Sequence, residues 1–262
     1  MRDFQIAVLA SGSKGNATLI RSGDQCFLID AGLSCRALTG KLRQLGCDPE
    51  DLTAVFITHE HIDHIKGLQN FMKNFRVPVY GSQETWRAFL VKNTLEDRSM
   101  CRVMTGNVKC GDIIIKGFSI PHDAVAPLGY VFADTYSRRK CCYLTDAGFI
   151  TDTIRKAMDG VTSLVLEANH DIDMLKRGSY PPVLKQRILS ARGHLSNDSA
   201  GWFLAELERL PESIVLAHLS QENNTAVLAR DTVCSIVESK RSLRDVRIAV
   251  ASQDETVSDY EL

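Results

Sequence analysis

The stretch Thr58-His59-Glu60-His61-Ile62-Asp63-His64 gathers three of the chain's seven histidines and two carboxylates into seven consecutive positions. An apolar run, TAVFITH (53–59), leads into it and reads as a strand. The stretch HIDHIKGLQNFMKNF, from 61 onward, reads as a helix beginning near Asp63. On extended chain, His59 and His61 are two apart and project to the same side. Asp63 and His64 follow where the chain turns into the helix. A solvated surface segment or a satisfied core histidine explains one imidazole, not three beside an aspartate. The cluster predicts a site for one or two divalent cations.

The surrounding sequence supplies a scaffold. Upstream, FQIAVLA, ATLIRS and QCFLIDAG are short apolar runs separated by Gly, Ser, Asn and Asp, the pattern of a strand meander. A helix follows from about Ser34 to Leu45, with Leu38, Leu42 and Leu45 on one stripe and Gly46 as its stop. Downstream come a strand, VPVY, and a helix, ETWRAFLVKNTL. After Arg98 the pattern turns β-rich with DIIIKGFSIPH, PLGYVFADT and KCCYLTDAG. Thr151 then caps TIRKAM, and SLVLEAN reads as a buried strand. The helices PVLKQRILSAR and NDSAGWFLAELERL, the strand SIVLAHLS, the helix TAVLARDTVCSIVESK and the strand VRIAVAS complete the chain. No linker or repeat interrupts it, so we read residues 1–262 as one α/β (α+β) domain of two packed sheets with helices outside.

Composition narrows the function. The apolar fraction of 44% fills a sizeable core, and a net charge of −1 gives no global attraction for a polyanion, so nucleic-acid contact requires a local patch. The N-terminal stretch lacks signal-peptide character and no apolar run approaches the ~20 residues that span a bilayer, which predicts a cytoplasmic protein without membrane contact. The eight cysteines are scattered without a Cys-x-x-Cys pair, the pattern of reduced thiols packed as small apolar residues.

THEHIDH matches the HxHxDH motif of the metallo-β-lactamase superfamily, and the chain resembles that superfamily along nearly its whole length. The resemblance implies a four-layer αββα sandwich with further ligands at later strand ends. Asp30 in QCFLID, His122 in SIPHDA, Asp146 in YLTDAG and His218 in VLAHLS each follow an apolar strand. By the resemblance, His59, His61 and His122 hold one metal, Asp63, His64 and His218 the other, and Asp146 bridges them. Asp30 accepts a hydrogen bond from a ligand histidine. Nitrogen and oxygen donors suit two divalent ions, zinc or manganese, with iron also compatible. Two such cations side by side lower the pKa of water towards ~7 and neutralise charge on a displaced phosphodiester.

Three features bear on the substrate. Asp146 stands where zinc β-lactamases carry a cysteine, which argues against antibiotic hydrolysis. LVLEANHD (Glu167, His170, Asp171) and RGHLSND (His194) resemble loops that phosphodiester-cutting members such as tRNase Z place beside the leaving group. A departing alkoxide needs a proton. His194 supported by Glu167 is the candidate donor, His170 or Asp171 the next, and Asp63 orients the attacking water besides binding metal. Finally, the segment 174–193 holds five Lys/Arg and no acid. Lys176, Arg177, Lys185, Arg187 and Arg192 suit backbone phosphates, and Tyr180 suits base stacking. A solvated basic helix face is the plainer reading of that run, and Arg138-Arg139-Lys140 reads as a hairpin tip. SGSKGNA lacks a Walker ending and reads as a tight hairpin turn or as a rim where Ser11, Ser13 and Asn16 meet a phosphate.

LASGSKGNATLI, LIDAG, LEANHD, SYPPVLKQRILSARGHLSND and AHLSQENN resemble the bacterial YycJ/WalJ group, with Ala168 in place of an expected Ser. That resemblance implies 5′-to-3′ exonuclease activity on DNA and an association with mismatch repair. The interval from Asp146 to His218 is too short for a β-CASP insertion, and no tRNase Z-type substrate arm is evident. The alternatives are a small-molecule metallo-hydrolase (a cyclic-nucleotide phosphodiesterase or thioesterase), an RNA-processing nuclease, and a non-catalytic nucleic-acid binder.

Overall fold

The opening apolar runs become an antiparallel meander, β1 (Gln5–Ala10), β2 (Ala17–Ser22) and β3 (Gln25–Ile29), in the computed structural model, which describes residues 4–258. Ser34 caps α1 (Cys35–Gln44) by accepting from the Ala37 N–H, and Leu38 and Leu42 turn its apolar stripe inward. β4 (Ala54–Phe56), β5 (Val79–Gly81) and β6 (Cys101–Val103) continue the same sheet in parallel. Between them lie α2 (Ile62–Ile65), α3 (Leu68–Asn74) and α4 (Gln83–Lys92).

The second sheet repeats that plan. β7 (Asn107–Cys110), β8 (Ile113–Ser119), β9 (Leu128–Asp134) and β10 (Lys140–Leu144) are antiparallel neighbours. α5 (Asp152–Ala157) then crosses to β11 (Ser163–Glu167), which lies parallel to β10. α6 (Ile172–Arg177), α7 (Pro182–Ile188) and α8 (Asn197–Glu206) precede the parallel β12 (Ser213–Ala217). α9 (Ala226–Glu238) leads to β13 (Arg247–Val250), and β14 (Val257–Ser258) returns to pair with β1. The strand orders are β14-β1-β2-β3-β4-β5-β6 and β13-β12-β11-β10-β9-β8-β7.

Three apolar clusters stack through the molecule. One lies between the sheets, where Phe27 and Phe56 of the first meet Phe132 of the second at ring distances of 5.3 and 5.4 Å. A second packs α1, α3 and α4 on the outer face of the first sheet, and a third packs α5, α8 and α9 on that of the second. Helix, sheet, sheet, helix is the four-layer αββα sandwich that the sequence leads one to expect. β11 and β12 are buried along their whole length, which is why they read as unbroken apolar runs rather than alternating ones. All eight cysteines are free, and none is fully exposed.

Some elements differ from the sequence reading. The helix expected from Asp63 is two helices, because Gly67 brings its backbone against the loop after β3: its N–H donates to Ala31 O (2.8 Å), and a Cβ there would meet Leu33 O at 2.1 Å. α6, β6, β7 and β14 were not foreseen. They are short, with too few residues to display a period. SGSKGNA does form the β1–β2 connection, and Arg138, at φ 59°, turns the β9–β10 hairpin.

Candidate metal centre and catalytic cleft

The chemistry gathers at the C-terminal ends of strands. Asp30 follows β3, His59 follows β4, His122 follows β8, Asp146 follows β10, Glu167 ends β11 and His218 follows β12. Asp30, Asp146 and His218 all take left-handed backbone conformations, with φ of 61°, 60° and 58°. Each costs about 1 kcal/mol or more for a residue with a Cβ, so strain is concentrated where the chain must aim a side chain sharply.

Four groups of ligand atoms form, each with its members within 4.8 Å of one another: His59, His61 and His122; Asp63, His64 and His218; and two that include Asp146, with His59 and His64 and with Glu167, His194 and His218. Asp146 stands between the first two. Its Oδ1 lies 3.9 Å from His122 Nε2 and 3.4 Å from His218 Nδ1, and its Oδ2 lies 3.5 Å from His64 Nε2. The Nε2 atoms of His59, His122 and His218 and the Oδ2 of Asp146 are buried without a hydrogen-bond partner. Buried polar atoms are normally satisfied. Four orphans aimed into one space, all nitrogen or oxygen, fit divalent cations.

The ligands are braced from behind. Asp30 accepts from His64 Nδ1 (2.7 Å), from the Thr58 N–H (2.8 Å) and from the Thr58 hydroxyl (2.9 Å). The Asn16 amide donates to Asp63 Oδ2 (3.2 Å), and its N–H donates to Asp63 O (2.7 Å). Gly32 must be glycine for this loop to close, since a Cβ there would sit 1.7 Å from Asp63 O. Ser11 Oγ accepts the His218 N–H (2.6 Å), and His122 Nδ1 donates to Gly193 O (3.1 Å).

Charge follows from that packing. Burial, then the neighbouring His64, His61 and His122, hold the His59 pKa well below 6.5, so its lone pair is free to ligate. Burial also opposes charge on His64, but Asp30, Asp63 and Asp146 outweigh it and raise its pKa well above 6.5. At His218 burial is likewise overcome, by Asp146, Asp63 and Glu167, and the pKa rises to about 10. Asp63, despite burial, is held below the ordinary carboxylate range by His64 and His218. A cation entering here must displace protons.

Beside this cluster, the fully buried Glu167 accepts from His194 Nδ1 (2.7 Å) and His218 Nδ1 (3.0 Å) through Oε1, and from the Ala147 and Leu195 N–H groups through Oε2. The His194 ring is fixed in orientation while its other edge is left to the cleft. That cleft, about 270 Å³, is lined by His61, Asp63, His122, Asp146, His194 and His218, with Ser13, Asn169, Tyr180, Leu184, Arg187, Ile188, Leu219 and Ser220.

Not every residue singled out from the sequence reaches it. Ser11 and Asn16 are buried and brace His218 and Asp63, which corrects the reading of them as rim contacts; Ser13, between them, does line the cleft. His170 is buried outside the lining, its Nδ1 3.3 Å from Asn169 Oδ1, and burial lowers its pKa to about 4. Asp171 caps α6 by accepting from the Met174 N–H (2.7 Å). Neither is placed to donate a proton to a substrate. Of the basic segment, Tyr180 and Arg187 line the cleft, and Lys176, Arg177 and Arg192 are exposed beyond it. Lys185 donates to Lys176 O (2.8 Å) and Gly178 O (2.7 Å), closing the end of α6.

Sequence reasoning missed Asp123, although it stands next to His122 in the quoted SIPHDA. Its Oδ2 accepts from Arg187 Nε, and its Oδ1 lies 3.3 Å from His122 Nε2. Asn169, which donates to His218 O (2.8 Å), was missed too.

Comparison with known proteins agrees with this architecture. The model of the family described as "Metallo-beta-lactamase superfamily" matches residues 10–102. The exodeoxyribonuclease YycJ of Bacillus anthracis is 38% identical over 241 residues, 90% of each chain. The exodeoxyribonuclease WalJ of Streptococcus pneumoniae is 39% identical over 235 residues, 88% of this chain and 87% of the relative. Among solved structures, the metallo-beta-lactamase fold protein YhfI from Bacillus subtilis superposes with a TM-score of 0.70 at 18% identity, over 97% of this chain and 99% of its own, a likeness of fold.

Proposed function

This chain belongs to the YycJ/WalJ group of the metallo-β-lactamase superfamily, and from that premise we infer that it is a metal-dependent exodeoxyribonuclease working from 5′ to 3′ as one domain. The observation that carries the reading is the pair of ligand groups on either side of Asp146, with the Glu167-held His194 beside them in the same cleft.

Two divalent ions, zinc or manganese, fit the donors. His59, His61 and His122 would hold one, Asp63, His64 and His218 the other, and Asp146 both. When bound, they supply an acidified water and charge neutralisation at the phosphodiester. Asp63 orients the attacking water. His194, whose Nδ1 is engaged by Glu167, delivers a proton from Nε2 to the leaving oxygen. Glu167 touches no substrate and acts as a positioning residue. Arg187, anchored on Asp123 through Nε, presents its remaining N–H groups to phosphate, and Tyr180 offers a stacking surface.

No helix among the described residues is long and apolar enough to cross a membrane, and we place the protein with its DNA substrate in the cytoplasm. A time course on 5′- and 3′-end-labelled single- and double-stranded DNA and RNA, with added Mn²⁺ or Zn²⁺, tests the reading. Progressive release from the 5′ end of DNA is expected. Turnover of RNA alone, or of small esters without any DNA product, would move the assignment to one of the alternatives.

A further inference from the structure

Ten large apolar side chains are exposed among the described residues, and five stand within three positions of a residue that lines the cleft: Ile62, Val125, Phe149, Val183 and Leu189, between 47% and 78% exposed. Ile62 stands between His61 and Asp63. The Val125 N–H donates to Glu60 Oε1 (2.9 Å), tying it to the same lip. Val183 and Leu189 are neighbours of the cleft-lining Leu184 and Ile188. Phe149 follows Gly148, whose N–H donates to Pro121 O (2.8 Å) and which packs so closely on Ala191 O that a Cβ would come within 2.3 Å. The Arg187–Asp123 pair joins the two lips. Single exposed apolar residues need no explanation, but several on the segments that flank a charged cleft point to a binding surface.

The chemistry lies deep. His59, His64, His122 and His218 are at most 5% exposed, under a cleft of about 270 Å³. That space suits one nucleotide and is far too narrow for a duplex. A DNA end reaches the cluster only if its terminal nucleotide leaves its partner, which exposes the flat apolar face of the next pair. We propose that the apolar rim is a strand-separating wedge, which covers the last intact base pair of a DNA end while the freed terminal nucleotide enters the cleft. The proposal rests on the exodeoxyribonuclease reading and adds the form of substrate that the site accepts.

The test compares the metal-loaded wild type with V125S/V183S/L189S, three positions outside the ligand set. One substrate is a blunt end-labelled duplex, the other the same duplex with its first three 5′ nucleotides mismatched. The ratio of blunt to mismatched rates is expected to fall roughly fivefold or more in the variant, the scale of a lost stacking surface, with metal content unchanged. A ratio equal to that of the wild type overturns the wedge. So does a concentration-dependent dimer that the substitutions dissolve, which assigns the face to self-association. A second readout needs no turnover: 2-aminopurine at the terminal pair brightens when H194A binds the duplex and stays dark with the wedge substitutions added. Brightening in both overturns the proposal. If the wild type cleaves neither substrate but the probe brightens in H194A alone, the nuclease reading fails and the wedge stands.

Discussion

On the floor of the cleft most ligands are buried, His61 and Asp63 being partly exposed, and several are held from behind: Asp30 and Thr58 support His64, Asn16 supports Asp63, and Glu167 supports His218 and, beside the ligands, His194. On the wall built from α6 and α7 most of the cations are exposed, and two are tied to the protein itself, the half-buried Lys185 to the carbonyls ending α6 and Arg187 to Asp123. Floor side chains therefore meet a substrate already aimed, where a small displacement costs much of the rate. Wall side chains act through long-range attraction that salt weakens. The same residue types, judged only by charge, do unequal work.

The largest effect is expected beside the floor. His194→Ala should keep the metal content and lower turnover on DNA roughly 10²–10⁴-fold, the range of a lost general acid, as elemental analysis and the end-label assay will show. Full turnover in a properly metallated variant would remove His194 from the mechanism. One layer back, Asp30→Ala frees His64 Nδ1 and both Thr58 donors. Metal affinity should fall about 10–100-fold. Urea unfolding of the metal-free protein should lose about 3–5 kcal/mol, the scale of breaking a buried pair.

His170, behind the floor, gives a pH signature. Its folded pKa of about 4 lies below the ordinary 6.5, so an unfolded chain takes up a proton that the native state refuses. The contribution is whole above pH 6.5 and is lost as the pH falls towards 4, amounting to no more than about 3 kcal/mol. Urea unfolding of the metal-free protein at pH 7 and pH 4.5 should therefore separate less in His170→Asn than in the wild type, and an equal separation in both would sink the assignment. The smallest effects belong to the wall, where the comparison is most exposed to failure. Arg187→Ala should raise KM and flatten the logarithmic salt dependence by about one unit. Lys185→Ala should leave that slope alone and cost about 1 kcal/mol by leaving the α6 carbonyls without their donor. Equal slopes in the two variants would show that the wall is a uniform basic surface after all.

How much of this was visible in the sequence follows from the reach of each contact. THEHIDH and the polar residues closing apolar strands are local patterns, and a sheet gathers strand ends whatever the loops do. The braces are not local. Ser11 and His218 are 207 positions apart, and Asn16 and Asp63 are 47 apart, so nothing near Ser11 or Asn16 announces what they hold. Within the β1–β2 turn, Ser11 and Asn16, offered as rim contacts, instead fold beneath the ligands, while Ser13 between them lines the cleft. Lys185 misled for a related reason: a charged residue on a basic helix looks solvated until the end of α6 is brought against it. Asp123 was in plain view, and only the approach of α7 gave it a partner.

The central claim is that two cations sit on either side of Asp146. Elemental analysis of protein loaded with Zn²⁺ or Mn²⁺ and then dialysed tests it directly. The account expects two equivalents per wild-type chain, and one or fewer in Asp146→Asn, His61→Ala and His218→Ala. A wild type that retains one equivalent or none, or an Asp146→Asn variant that keeps two, would contradict it.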